Sequence, residues 1–289
     1  MTNMSDPLTP SLMQERSEFY RTLARSFMTP QTEAHYRAMA DLLTDDLTDL
    51  EDSLGYGLEI QLEALRRAML KVASHEELLI EYSSMFLQPP SVASLNVCHP
   101  LDGAMMGGTV AEIELFYRHY GVERGDHFKD LPDHVSVQLE FVSYLYDRAA
   151  RALESGTPDA EAESAANHFL FAFVSRWVPH FELSIENAGR LLALKANPYL
   201  PLVRMLAIAT ERDAVANPDW LKPRKRVEVA LDKARQVYSG RGITAEDMAD
   251  MERKLRAKGL STAHLKVALA DRDAAMGLSA KVPPDPRRK

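Results

Sequence analysis

The sequence predicts an all-α protein, with a single compact helical domain over residues 1–210 and a basic helical extension over residues 211–289. The 289 residues include only 13 glycines, and runs of Val, Ile and Thr are scarce, which favours helices over sheets. Apolar residues recur at helical spacing, and no stretch alternates as a strand would. With 46% hydrophobic residues, the chain is long and apolar enough to bury a sizeable core.

The first part of the chain carries repeated signals for helix starts. Threonine followed by proline, at residues 9–10 and again at 29–30, is typical of an N-cap with proline at the first helical position. These pairs and the apolar spacing predict three helices, at residues 10–27, 30–43 and 58–72. The acidic stretch at residues 44–52 is predicted to connect the second helix to the third.

Two capping boxes follow, each placing a glutamate three residues after a serine or threonine. Ser74 begins a predicted helix that ends before the prolines at 89–90, and Thr109 begins one that ends at Tyr120, with Gly121 as its left-handed cap. Between them, residues 88–108 form the longest stretch of the body without helical period. A loop of this length within a compact domain is usually functional.

The central helix is predicted over residues 133–147. Pro132 fits its first turn, where the missing N–H is no loss. Apolar side chains cover most of the circumference, and they leave one narrow polar stripe, formed by Asp133, Ser136, Glu140 and Ser143. A helix with this pattern belongs inside a protein. We therefore expect it to be the most buried helix, with its acidic stripe facing a groove, water or a partner.

The rest of the body is also predicted to be helical. A polar linker at residues 154–163 precedes a helix that is apolar nearly all round, at residues 167–181, which we expect to pack on the central helix. Amphipathic helices at residues 182–196 and 199–210 close the body. In the extension, cap-like residues predict short basic helices, and the last ten residues, with three prolines, are predicted to be disordered.

The charge is divided unevenly along the chain. Residues 1–210 carry 16 Lys and Arg against 30 Asp and Glu, a balance of −14, whereas residues 211–289 carry 18 against 12, a balance of +6. The acidic body suits basic ligands and is expected to repel nucleic acid. A single cysteine, Cys98, and the lack of a long apolar run or a secretory signal predict a cytoplasmic protein without a membrane span.

Motifs for catalysis or metal binding are few. The sequence has no His-Glu-x-x-His, phosphate-loop, Gly-x-Gly-x-x-Gly or Gly-x-Ser-x-Gly pattern. Cys98 and His99, with Met105 and Met106 nearby, lack the regular spacing of a soft-metal site. We therefore predict a buried thiol in an irregular loop, with no metal and no cofactor.

Three classes of function fit these residues. A helical enzyme or small-ligand-binding regulator would need converging titratable groups, and the sequence offers only Asp133, His134 and Glu140. A structural interaction protein would expose long heptads, which are absent before residue 211. A peptide-binding groove needs apolar walls, adaptable methionines and a few charges, and the 88–108 loop together with the central helix has that composition.

Three stretches resemble motifs of the TorD/DmsD family of cytoplasmic chaperones, which mature molybdenum redox enzymes and include NarJ-like members. Residues 131–141 resemble the family's Leu-Pro-Asp-His-Leu…Glu-Leu-Glu-Phe motif, with Gln138 where glutamate is usual. Residues 81–86 resemble Glu-Tyr-x-x-Leu-Phe, and residues 177–181 resemble Trp-x-Pro-x-Phe. The resemblance covers about residues 12–210 and leaves out the basic extension.

The resemblance implies a TorD-like helical domain that acts as a chaperone and not as an enzyme. Such chaperones bind the twin-arginine signal peptide of a molybdoenzyme subunit, and often its apo form, and delay export until the cofactor is inserted. The resemblance also implies a monomer or a dimer, including a domain-swapped one. Together with the chemistry above, it points to these peptide-binding residues: Asp133, His134, Gln138, Glu140, Met105, Met106 and Trp177.

Overall fold

A computed structural model of the protein describes residues 9–88, 92–103, 107–122, 131–157 and 159–216. All of them belong to the first of the two compact units into which the chain divides, Met1–Arg235 and Gln236–Lys289. The described residues form helices and loops and contain no strand, so the all-α prediction is confirmed. The domain boundary at residue 210 stays a prediction, and the helices predicted in the extension lie outside the described residues.

The described part of the chain contains eleven α-helices and three π-helical turns. The α-helices are α1 (Pro10–Ser26), α2 (Glu33–Arg37), α3 (Leu43–Leu54), α4 (Glu59–Met69), α5 (His75–Tyr82), α6 (His99–Asp102), α7 (Gly108–His119), α8 (Val135–Glu154), α9 (Ala160–Phe169), α10 (Ser175–Leu191) and α11 (Tyr199–Asp213). The π-helical turns, at Ala38–Leu42, Ser83–Leu87 and Leu170–Val174, extend or join neighbouring helices. None of these helices is long and apolar enough to span a bilayer.

The core forms around α8, which packs chiefly on α1. Most of its side chains are buried, among them Val142, Leu145 and Tyr146, so the prediction of a buried central helix is confirmed. At the contact with α1, the hydroxyl of Ser17 donates to the carbonyl oxygen of Ser143 at 2.9 Å. Ser143 is therefore buried against α1, and the expectation that this part of the polar stripe faces a groove is wrong.

The start of α8 lies two residues later than predicted, because His134 is its N-cap. Nδ1 of His134 accepts a hydrogen bond from the backbone N–H of Ser136 at 3.1 Å. Asp133 consequently lies in the turn before the helix and not on the helix surface. The far end of α8 reaches Glu154, beyond the predicted end at residue 147.

The acidic stretch at residues 44–52 is helical and not a connection, since it lies within α3. The inward face of this helix carries Leu43 and Leu47, four residues apart and both buried. Glu51 is buried one turn further on, and its carboxylate accepts hydrogen bonds from the backbone N–H groups of residues 56–58. The many aspartates on the outer face obscured this apolar spacing in the sequence.

Side-chain N-caps were predicted correctly at Thr9 and Ser74 and wrongly at Thr29 and, as described below, at Thr109. Thr9 and Ser74 accept hydrogen bonds from the first turns of α1 and α5. Thr29 does not cap α2: its carbonyl oxygen instead closes a tight turn with the N–H of Gln31. Thr32 has that role, since its hydroxyl accepts from the first turn of α2 at 3.2 Å.

The later helices are longer and more continuous than predicted. Asp159 caps α9 by accepting a hydrogen bond from the N–H of Ala162 at 3.0 Å, so the linker predicted at residues 154–163 is shorter. The π-helical turn at residues 170–174 joins α9 to α10, and α10 continues through Pro179 to Leu191. The apolar segment predicted at residues 167–181 contacts α8 as expected: the ring of Phe169 lies 5.0 Å from that of Phe141, and the indole of Trp177 donates to Gln138.

The last described helix, α11, ends in a buried acidic residue, three positions beyond its predicted end. The carboxylate of Asp213 accepts hydrogen bonds from the hydroxyls of Tyr20 at 3.0 Å and Tyr56 at 2.6 Å, and it pairs with Arg16 at 3.4 Å. Burial raises the pKa of Asp213. These contacts tie the C-terminal end of α11 to α1 and to the loop before α4.

Candidate functional site

Asp133 is fully buried in the turn before α8, where it holds the segment at residues 92–103 against the body. Its carboxylate accepts hydrogen bonds from the backbone N–H of Cys98 at 3.2 Å and from Nδ2 of Asn96 at 3.3 Å. The backbones are joined as well, because Asn96 and His134 form an isolated antiparallel bridge. An aspartate adjacent to a helix start thus acts as the anchor of a loop that lies nearly forty positions upstream.

Gln138 extends this anchor to α10. Its Nε2 donates to the carbonyl oxygen of Asp133 at 3.0 Å, and its Oε1 accepts from the indole Nε1 of Trp177 at 3.0 Å. Gln138 and Trp177 are both fully buried. We call Asn96, Cys98, Asp133, Gln138 and Trp177 the Asp133 network.

The thiol of Cys98 is buried within this network, as predicted. Burial and the nearby carboxylates of Asp133 and Asp102 raise its pKa to about 12. The thiol is therefore protonated at neutral pH, and a protonated thiol is neither a nucleophile nor a good metal ligand. Within the described ranges, no group of three or more His, Cys, Asp or Glu side chains is arranged to hold a metal ion.

The three candidate titratable residues do not face a common space. Asp133 is buried against residues 95–98, and His134 is occupied as the N-cap of α8. Glu140 lies on the outer surface of α8. Partial burial raises the pKa of Glu140, and the positive charges of two arginines on α1, Arg25 and Arg21, oppose that shift.

Met105 and Met106 lie outside the described residues, but both flanks of their loop are described. Asp102, at the end of α6, accepts hydrogen bonds from the hydroxyl and the backbone N–H of Thr109, at 2.7 and 3.0 Å. Thr109 was predicted to begin α7 as an N-cap, but that helix begins at Gly108, and the acceptor comes from upstream. A Cβ at Gly107 would collide with the side chain of Asp102, so the close approach of the two flanks requires glycine there.

The second family motif, at residues 81–86, has a structural role. Oε1 of Glu81 accepts a hydrogen bond from the backbone N–H of Ala196 at 3.0 Å, and the hydroxyl of Tyr82 donates to the carbonyl oxygen of Phe27 at 3.1 Å. Tyr82, Phe86 and Trp177 are buried, so Trp177, predicted to bind a peptide, lies in the core. The motif therefore joins α5 to the loop before α11 and to the end of α1.

Sequence reasoning missed Asn96 and the partnership of Gln138 with Trp177. Asn96 is 37 residues from Asp133, and Trp177 is 39 residues from Gln138. No periodicity or cap signal connects residues at such separations. The motif at residues 131–141 marks their common location, but only the packing of α8 and α10 shows which side chains meet.

A family model described as nitrate reductase delta subunit matches residues 29–182 of the chain. Among curated proteins, the chain is 25% identical over 115 residues to the selenate reductase assembly chaperone protein of Thauera selenatis, covering 39% of this chain and 60% of that protein. It is 26% identical over 113 residues to the chlorate reductase assembly chaperone protein of Ideonella dechloratans, covering 38% of this chain and 58% of that protein.

A longer match is to the chaperone protein TorD of Vibrio vulnificus, with 23% identity over 176 residues, 58% of this chain and 80% of that protein. No solved structure gives a significant match. The family model thus matches a longer part of the chain than either reductase assembly chaperone does. The chain spans about 60% of the length of those two chaperones.

Proposed function

Since the chain belongs to the nitrate reductase delta subunit family, we propose that it is an assembly chaperone for a molybdenum-containing reductase. The family match at residues 29–182 covers more than half of the chain and includes all three motifs that resemble TorD-like chaperones. That predicted resemblance is thereby confirmed. The proposal rests on this match, together with relatives that are named as reductase assembly chaperones.

The proposed client is the catalytic subunit of a reductase in its apo form, bound together with its twin-arginine signal peptide. Such a leader combines two arginines with an apolar run, and an acidic body with a balance of −14 over residues 1–210 is suited to it. Burial of the apolar run supplies most of the affinity, at about 25 cal/mol per Å² before ordering costs. The arginines add specificity and salt sensitivity.

The predicted contact residues fall into two groups in this proposal. Glu140 is exposed and available, although it competes for a peptide arginine with two arginines of α1. The buried residues of the Asp133 network reach a peptide only if the 92–103 segment moves away. We therefore give the network the role of holding that segment, with His134 fixing the start of α8 beside it.

We further propose that the protein acts by binding alone, in the cytoplasm and before export of the client. Asp133 and Glu140 face different parts of the body, and the thiol of Cys98 is protonated, so their arrangement gives no support to a helical enzyme. The proposed role needs no cofactor and no nucleic acid. It is compatible with a monomer and with a dimer, domain-swapped or not.

Calorimetry of the full chain with a synthetic leader peptide tests this function. The peptide is taken from a molybdoenzyme encoded in the same genome, and an Arg-Arg→Gln-Gln peptide is the control. We expect the control to bind about tenfold more weakly at low salt, and the difference to shrink at high salt because screening weakens the charge pairs. If no twin-arginine leader of that genome binds, the proposed function is refuted.

A further inference from the structure

An open cleft of about 430 Å³ lies on the body between two helical segments. One wall is the π-helical turn Ala38–Leu42 with the first turn of α3, and the other is the C-terminal half of α4. The buried side chains of Met69 and Val72 and the half-buried Tyr36 also line the cleft, among mainly polar groups. A π-helical turn inside a run of helix is uncommon and is often found at functional sites.

One wall of the cleft carries two carboxylates, and the other carries an exposed leucine. Asp41 and Asp45, four residues apart, line the same wall, and both are exposed. Leu70 on the opposite wall is 81% exposed. Leu42 follows Asp41 in the chain and is 57% exposed, but it does not line the cleft. Exposed aliphatic side chains next to carboxylates match a ligand that carries positive charge and apolar surface side by side.

Among the described residues that line the cleft, Arg66 is the one with a positive charge, and its ion pairs are weak. Arg66 on α4 lies 3.6 Å from the carboxylate of Asp45 and 3.7 Å from that of Glu63. The side chains of Arg66 and Asp45 are 51% and 78% exposed. Exposed ion pairs of this kind contribute little, so a guanidinium from a ligand can replace Arg66 as the partner of Asp45.

We infer that this cleft receives the arginine pair of the client's leader, with the neighbouring apolar residues of the leader packed on Leu70. The inference rests on the proposed function and gives its charged contact a location. The argument is charge complementarity, because the carboxylates of Asp41 and Asp45 are accessible without any movement of the chain. Asp133, the carboxylate singled out by the sequence, is fully buried.

Calorimetry of the full chain with the Arg-Arg leader peptide and its Gln-Gln control locates the charged contact. The variant Asp41→Asn/Asp45→Asn should bind the Arg-Arg peptide about fivefold more weakly at low salt and should bind the control peptide unchanged. The matched control variant is Asp46→Asn/Asp49→Asn, which alters net charge equally with two exposed residues of α3 that do not line the cleft. It should bind like the wild type within about twofold.

Two further variants should change the affinity for the leader peptide in opposite directions. Arg66→Gln removes the competing cation, so it should tighten binding of the Arg-Arg peptide about twofold to threefold. Leu70→Ser should weaken binding of both peptides about fivefold at low and at high salt, since it removes apolar contact and not charge. Both residues are largely exposed, so these variants should fold.

The outcomes separate the inference from the proposed function. Binding that is weakened in Asp41→Asn/Asp45→Asn and unchanged in the matched control supports the cleft. If the wild type binds the leader and the cleft variants bind equally well, or if Glu140→Gln alone removes the preference for the Arg-Arg peptide, the inference is overturned while the proposed function stands. If the wild type binds no leader, both fail.

Discussion

Replacing Gln138 with leucine should destabilise the folded body by about 2 kcal/mol. The substitution removes two buried hydrogen bonds, from Gln138 to the carbonyl oxygen of Asp133 and from the indole of Trp177 to Gln138. The carbonyl oxygen keeps a second donor, the N–H of Val97 at 3.3 Å, so its loss is small. The indole N–H loses its acceptor inside the protein, which costs about 1–3 kcal/mol.

The measurement is equilibrium unfolding in urea, followed by circular dichroism. For a body of this size, about 2 kcal/mol corresponds to a fall in Tm of about 4–8 °C. Glu140→Gln is the matched control, because it changes an exposed residue of the same helix and should stay within about 0.5 kcal/mol of the wild type. An unchanged urea midpoint in Gln138→Leu would refute the reasoning, since the network would then contribute nothing to holding α8 and α10 together.

The family motif usually has glutamate at this position, so Gln138→Glu is an informative second variant. A carboxylate cannot donate to the carbonyl oxygen of Asp133, and burial beside that turn should raise the pKa of the introduced group. A raised folded-state pKa contributes stability that is present at low pH and is lost as pH rises. The variant should therefore approach wild-type stability near pH 5 and fall below it at pH 8, and equal stability at both pH values would contradict the assigned orientation of the amide.

Three other predictions concern the ends of the body and one buried carboxylate. Asp213→Ala should cost about 3–5 kcal/mol in urea unfolding, because it leaves the side chain of Arg16, which is only 20% exposed, without its partner carboxylate; a loss below about 1 kcal/mol would contradict this role of the ion pair. A chain truncated after Ala216 should fold, whereas one truncated after Thr210 should lose cooperative unfolding, since it lacks Asp213; equal Tm values would contradict this. Burial raises the pKa of Glu81, so the wild type should lose stability relative to Glu81→Gln as pH rises from 4 to 8, and a parallel pH profile of the two proteins would exclude that effect.

The corrections to the predicted elements have a common cause. The composition predicted a connection where α3 lies, and it predicted an N-cap at Thr29 before α2. In both places, hydrogen bonds that the composition does not show give a different local structure. The carboxylate of Glu51 is satisfied by the backbone before α4, and the carbonyl oxygen of Thr29 closes a turn before α2 can begin. Composition gives an average preference, whereas the local structure also depends on hydrogen-bond partners that are distant in the sequence or hidden by it.

The sequence by itself determined the features that are encoded over a few residues. The helical class, the caps at Thr9 and Ser74, the left-handed Gly121 after α7 and the burial of the central helix all follow from periodicity and local hydrogen-bonding preference, and the structure agrees with them. The family motifs could also be recognised in the sequence, because the residues of each motif are contiguous. Each of these signals concerns neighbours along the chain.

Only the tertiary structure decided where the polar side chains of that central region point. Asp133 and Glu140 are both carboxylates and lie only seven positions apart, yet the first is fully buried and the second is exposed. The partners of the Asp133 carboxylate, Asn96 and the backbone N–H of Cys98, lie 37 and 35 residues away from it. Periodicity shows how much of a helix surface is apolar. Whether a carboxylate can be buried depends on hydrogen-bond donors, and only the packing of distant segments brings those donors within hydrogen-bonding distance.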